Sequence, residues 1–147
     1  MLLAHPNPAQ FLHVDAAHRI ASVTLVAGYN GENNGFNFDG YGRGELFVSV
    51  PRGWRVRVAC INRGAMTHSC AVVPGPGTIT PAFRGASVPN PVAGIEPGRQ
   101  ATFSFVASRV GSFRFACLVP GHEEARMWDV LEVTRGGKPS ITARAGP

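Results

Sequence analysis

The stretch Phe113-Arg-Phe-Ala-Cys117-Leu-Val-Pro-Gly-His122-Glu-Glu-Ala-Arg-Met127-Trp128 decides how the rest of the chain is read. Phe113, Phe115 and Cys117 alternate with other residues at the period of a strand that buries one face. Pro120-Gly121 then forbids a regular helix, so Cys117 and His122 converge from one tight loop. Cys117, His122 and Met127 follow one another at intervals of five residues, and only Glu123-Glu124-Ala125-Arg126 between the last two suggests a helical turn.

A thiolate, an imidazole and a thioether form a soft donor set. With a second imidazole they match the trigonal His₂Cys arrangement with a weak axial Met that suits blue copper. His68, in Met66-Thr67-His68-Ser69-Cys70, supplies that imidazole at the head of the apolar run Cys70 to Val73. Taken singly, each residue has an ordinary reading: a cysteine is a small core hydrophobe, a methionine is filler, a histidine is a polar group. Gathered around one Pro-Gly turn, they indicate a mononuclear copper site of His68, Cys117, His122 and Met127.

Outward from this loop the chain reads as strands. Trp54, Val56, Val58 and Cys60 alternate with Arg55, Arg57 and Ala59, giving a buried side and a wet side. Leu46–Val50, Ala101–Ala107 and Met127–Thr134 read the same way; Arg19–Tyr29 is a long strand with an irregularity near Ser22, Phe36–Phe38 a brief one, and a last strand falls around Ile141. The 147 residues suffice for one hydrophobic core, and 18 glycines and 12 prolines punctuate short apolar runs. The expected fold is an all-β Greek-key sandwich or barrel of about eight strands. Residues 1–18 form an N-terminal extension, 19–135 the domain and 136–147 a C-terminal tail.

If the Cys60 run and the His68–Val73 run form a hairpin, Cys60 and Cys70 lie nearly opposite each other on the inner face. Either a disulfide or two packed free thiols results. Residues 74–98 carry six prolines and little periodicity, and a loop of that length is expected to wrap the copper end and keep water out.

The net charge is +5, and every basic residue except Lys138 is an arginine. The arginines are scattered without a run or a nucleic-acid motif, which excludes nucleic acid in favour of an acidic protein or an anionic membrane. His5, His13 and His18 have no short regular spacing and read as surface groups. No run reaches the length of a membrane span, and Met1-Leu2-Leu3 is too short for a signal peptide's apolar region. A soluble monomer is expected, with any signal or anchor upstream. Enzyme readings fail on residues that are missing: no His-x-His pairs serve a trinuclear copper cluster, and the ligand loop has one cysteine where a binuclear centre needs two. A cysteine hydrolase leaves His68 and Met127 without a role, and a methionine ligand argues against structural zinc.

Five segments resemble the cupredoxins, and the sulfocyanin branch in particular. They are Gly35-Phe-Asn-Phe-Asp-Gly-Tyr41-Gly, Val50-Pro-Arg-Gly-Trp54, Thr67-His68-Ser69, Gly94-Ile95, and Cys117-Leu-Val-Pro-Gly-His122 with Met127-Trp128. The resemblance implies a type 1 copper and an electron carrier that is not an enzyme. Such a carrier is extracytoplasmic, often tethered to a membrane, and works between respiratory-chain partners such as a cytochrome or a terminal oxidase. It implies equatorial ligands His68, Cys117 and His122, an axial Met127, and support from Ser69, Pro120 and Gly121. His122 becomes the solvent-edge ligand, within a docking patch of Leu118, Val119, Pro120, Met66 and Phe83. The competing reading is a copper carrier or delivery module with the same fold. Glu123, Glu124 and Arg126 stand where that branch tends to have small or apolar residues.

Overall fold

Alternating apolar residues sort the chain into two sheets that face each other. In the computed structural model, which describes residues 5–144, the first sheet holds β1 (Leu12–Asp15), β2 (Ile20–Ala27), β4 (Arg55–Asn62) and β6 (Gln100–Val106), in the order β1-β2-β4-β6. The second holds β3 (Leu46–Pro51), β5 (Ala71–Val73), β7 (Gly111–Ala116), β8 (Trp128–Thr134) and β9 (Ser140–Ala143), in the order β5-β7-β8-β3-β9. The pairs β2·β4 and β3·β8 are parallel and the others antiparallel. Parallel neighbours arise because the chain crosses the sandwich between them: β3 intervenes between β2 and β4. The reading of Met1-Leu2-Leu3 lies outside the described residues.

The core lies between the sheets. Val56, Val58 and Cys60 point in from β4 while Arg55 and Arg57 point out, as the alternation requires. Phe105, Phe115, Leu25, Leu46 and Leu131 are fully buried, and each such side chain contributes about 1.5–3 kcal/mol through removal from water.

The structure corrects the sequence reading at several points. The described residues form nine strands, in keeping with the expected number of about eight and the expected strand around Ile141, but β1 comes from the segment read as an extension. β2 pairs with β4 without a break through Ser22. Phe36–Phe38 is not a strand; Phe38 makes only isolated bridges to Ala27 and Tyr41. Asn33, Asn34 and Asp39 have left-handed backbones around it, which leaves no room for extended pairing. β4 and β5 do not form a hairpin, because they lie in different sheets. Residue parity fixes which face a side chain takes but not which sheet its strand joins. The disulfide that the structure forms between Cys60 and Cys70, with Cα atoms 6.0 Å apart, therefore joins the two sheets through the core.

The long loop after β5 has two roles. Residues 82–88 run back along β5, with Ala82 N–H donating to Val72 O, Val72 N–H to Ala86 O and Val88 N–H to Cys70 O. They bury Ala82, Phe83, Ala86 and Val88 in the core. The parts on either side, near Thr78 and Val92, reach the end of the sandwich where β2, β4 and β7 finish and β8 begins.

Candidate metal centre

Cys117 follows β7 directly, and the last register pair of the β7–β8 hairpin is Ala116 with Trp128. The loop between them closes on itself. Cys117 N–H donates to Met127 O (3.2 Å), Met127 N–H to His122 O (3.0 Å), and His122 N–H to Val119 O (3.0 Å). Gly121, exposed at the bend beside Pro120, takes φ +87°. An ion pair that sequence reading missed braces the loop from outside: Arg114 Nη1 lies 2.9 Å from Glu123 Oε2, and the Arg114 guanidinium stacks 3.7 Å over the Trp128 ring.

His68 is held by a two-way bridge to Ile95, with His68 N–H donating to Ile95 O (3.2 Å) and Ile95 N–H to His68 O (2.7 Å). Gly94 makes that approach feasible. Its φ is +81°, and a Cβ there would stand 2.6 Å from Thr67 Cγ2 and 2.8 Å from Val119 Cγ2. Asn62 ties the same segment down by donating through Nδ2 to Met66 O (2.8 Å) and Ile95 O (2.9 Å). Behind the ring, Gly28 and Gly64 pack so closely that a Cβ on Gly28 would meet Gly64 Cα at 2.6 Å and His68 Nε2 at 3.3 Å.

These supports bring three donor atoms together. His68 Nδ1 and His122 Nδ1 are 3.2 Å apart, Cys117 Sγ lies 3.3 Å from His122 Nδ1, and it lies 3.9 Å from His68 Nδ1. A point at the centre of this triangle is about 2 Å from each corner, close to the bond lengths that a first-row transition ion takes to nitrogen and sulfur. Cys117 and His68 are fully buried and His122 is 9 % exposed. Ser69 joins the two segments: its N–H points at Cys117 Sγ (3.3 Å), and its Oγ accepts the Leu118 N–H (2.9 Å). Met127 is fully buried, with its main chain bonded to both Cys117 and His122.

Burial sets the protonation of the metal-free site. It lowers the His68 pKa to about 4, with repulsion from His122 adding to the effect, and it lowers that of His122 despite the charge of Glu124. Burial also raises the Cys117 thiol, opposed by hydrogen bonds from the Ser69 and Val119 N–H groups and the Ser69 hydroxyl. The imidazoles are thus neutral, and of the three groups the Cys117 thiol is the one that would give up a proton to a bound ion.

The expected docking patch is only partly at the surface. Phe83 is a correction: it is 6 % exposed, stacked on Phe105 at 5.2 Å between ring centroids, because residues 82–88 fold onto the core. Leu118 is another, also 6 % exposed, packed with Ala71, Val73 and Ala116 on the outer side of the β5–β7 pair. Val119 and Met66 are half-buried and Pro120 is exposed. Sequence reading missed Ile79 and Val92, 63 % and 42 % exposed, which line one hollow with Val119 and Pro120. Their signal was the prolines that hold a loop at this end. His122 packs edge-on against Phe36 (4.9 Å between centroids), and Asn33 Nδ2 reaches Ala125 O (2.8 Å), so the loop after β2 also walls the site.

A family model for the sulfocyanin (SoxE) domain matches residues 7–136. The chain belongs to the sulfocyanin family. The sulfocyanin of Sulfolobus acidocaldarius is 27 % identical over 129 residues, which cover 79 % of this chain and 64 % of that one, so the chain spans a little under two thirds of that relative's length. Dithionite-reduced auracyanin from Roseiflexus castenholzii superposes with a TM-score of 0.55 at 21 % identity, over 77 % of this chain and 96 % of that one. The blue copper oxidase of Nitrosomonas europaea gives a TM-score of 0.59 at 25 % identity, over 77 % of this chain and only 38 % of the oxidase. The family and the His68–Cys117–His122 cluster together make one copper ion the cofactor of this cupredoxin fold.

Proposed function

We propose that the chain is a one-electron carrier. His68, Cys117 and His122 are its equatorial ligands, Met127 its weak axial ligand, and its partners are respiratory-chain proteins such as a cytochrome or a terminal oxidase. The observation that carries this reading is the buried triangle of two imidazole nitrogens and one sulfur, at edges of 3.2, 3.3 and 3.9 Å. Copper, when bound there, supplies a couple between its +1 and +2 states, whose potential depends on the axial ligand and on hydrogen bonding to the cysteine sulfur. The residues restrict the change between those states. The bridge to Ile95 fixes His68, the Ser69 N–H fixes and tunes the Cys117 sulfur, and the closed turn fixes His122. Apolar packing around Met127 and Phe36 excludes water.

His122, at the edge of the site, is the outlet for the electron, and Val119, Pro120, Ile79 and Val92, which line one hollow, form with Met66, which lines a second, the apolar surface a partner covers. The Cys60–Cys70 disulfide supports an extracytoplasmic location, since oxidising compartments preserve such bridges. An optical titration with copper(II) tests the proposal. An intense thiolate-to-copper band that ascorbate bleaches and oxidant restores, with copper kept throughout against a copper(I) chelator, is the expected result. Loss of copper to the chelator on reduction would favour a delivery protein, and absence of the band would end the copper reading.

A further inference from the structure

Strand registers divide the charged residues between the two ends of the sandwich, and they divide unevenly. The end away from the His68–Cys117–His122 cluster is where β2 and β4 begin, β3 and β8 finish, and β6 turns into β7. Arg55 N–H donates to Arg19 O (3.0 Å) and Arg52 N–H to Thr134 O (2.7 Å), while Gly53 N–H donates to Ala107 O (2.8 Å). These bonds draw Arg19, Arg52 and Arg55 together with Arg109, and Arg57 follows Arg55 on the outward face of β4. Arg84 lines a hollow with Arg55, Ser104 and Ser108. Arg135 and Lys138, just past β8, extend the same end. All eight are exposed, and none makes an ion pair among the described residues.

Acid is scarce there. Asp15 is taken up by His18 at 2.8 Å, and Glu132 is half-buried on β8 opposite Ser49 and Ser112. The remaining acidic residues are in the metal half, where Glu32, Glu45, Glu96, Glu123 and Glu124 nearly offset the six arginines present, Asp39 and Asp129 being buried carboxyls whose pKa is raised by desolvation. The far end, with eight basic residues against two acidic ones, therefore holds the chain's positive excess.

We infer that this end docks on an anionic lipid surface, with the hollow between Arg55 and Arg84 receiving a headgroup phosphate. Guanidinium groups pair with phosphate through two parallel N–H bonds, and the Ser104 and Ser108 hydroxyls can donate to the remaining oxygens. Arg55 Nη1 is already turned to Ser104 Oγ at 3.3 Å, which preorganises that wall. A protein partner is disfavoured by the character of the face. Ser22, Thr24, Thr102 and Ser104 flank Arg57, Phe103 is only partly exposed beside them, and Val106 is the face's one exposed large apolar side chain apart from Val14 on the β1 edge, whereas protein interfaces are anchored by buried aromatic and apolar groups. A domain seated this way points its metal end, with His122 and the Ile79–Val92 hollow, away from the bilayer. The inference rests on charge and register and stands whether or not the cluster at the other end takes copper.

Co-sedimentation of the full chain, copper-loaded and copper-free, with phosphatidylglycerol vesicles and with phosphatidylcholine vesicles tests this. Both forms should bind the first at low salt and not the second, with release as salt screens the charge. Arg55→Gln with Arg84→Gln should weaken binding by about thirtyfold, roughly the contribution of two surface cations. Arg43→Gln with Arg99→Gln, the same charge change at the metal end, should have little effect. Equal loss in both pairs, or equal binding to the two lipids, would overturn the inference. So would capture by polyglutamate as tight as by the anionic vesicles with the same arginine dependence, which would assign the face to an acidic protein.

Discussion

His68 and His122 bring their Nδ1 atoms within 3.2 Å of each other from opposite kinds of structure. His68 is fully buried, bridged on both sides of its peptide to Ile95, with its ring against Gly28 and Gly64. His122 sits on a turn, reaches the surface with 9 % of its area, and leans edge-on against Phe36. The same side chain thus occupies two environments: one imidazole is locked in the core, and the other stands at the edge of the protein.

Removing the atom common to both is expected to have the largest effect. Cys117→Ser should abolish the visible thiolate band completely in copper-loaded protein, and an absorption spectrum reads it; a surviving band would mean that the sulfur lies elsewhere. A sharper test separates the two histidines. His122→Gly should regain a coloured copper site when free imidazole is added, because the vacancy opens at the surface, whereas His68→Gly should not, its vacancy being closed by the core. Equal rescue of both would break the comparison.

Next come the glycines on the two sides. Gly28→Ala puts a Cβ at φ +65° and drives it to 2.6 Å from Gly64 Cα, so about 2–4 kcal/mol of stability should be lost in urea unfolding. Gly121→Ala, at φ +87° with no atom within 4 Å of the new Cβ, should cost only about 1 kcal/mol from the backbone alone. If the two losses match, the His68 side is not the more tightly packed one.

A pH-dependent test concerns a buried carboxyl in the loop that walls His122. Asp39 Oδ1 accepts the Val26 N–H at 2.6 Å while its Oδ2 has no partner. Burial raises its pKa from 3.8 to about 8, against the Val26 bond and the charge of Arg63. Buried Asp129 is also raised by desolvation, and the proximity of Asp39 adds to that shift. The folded chain thus keeps a proton that the unfolded chain releases near pH 4. The resulting stability is full below that pH and is lost as pH rises towards 8. Asp39→Asn should flatten this decline in a series of urea melts, and an unchanged slope would remove Asp39 as its source.

The approach of Cys117 and His122 was legible because the two residues are close in sequence and a Pro-Gly turn makes them converge. His68 was legible from its place at the head of an apolar run. The strand faces were legible from alternation, as in Trp54 to Cys60. What alternation does not encode is partnership between sheets, so the Cys60 and Cys70 runs read as a hairpin when they lie on opposite layers. Segments without periodicity hid the rest. Phe83 is an exposed-looking loop residue that is core, Ile79 and Val92 are loop residues that are surface, and the amides of Asn33 and Asn62 brace the site through bonds to distant carbonyls. Such contacts depend on how loops pack, which no local pattern records.

The bridge between the sheets also governs how the protein can mature. Cys60 and Cys70 are ten residues apart, and Cys117 is the remaining free cysteine. Once the nearby pair has oxidised, an arriving ion would encounter a single thiol, with no second thiol in the chain left to mispair with it. A chain that was metallated while all three were reduced would offer the ion competing thiols. Oxidation first and metal second is the order of assembly in which each sulfur has one fate.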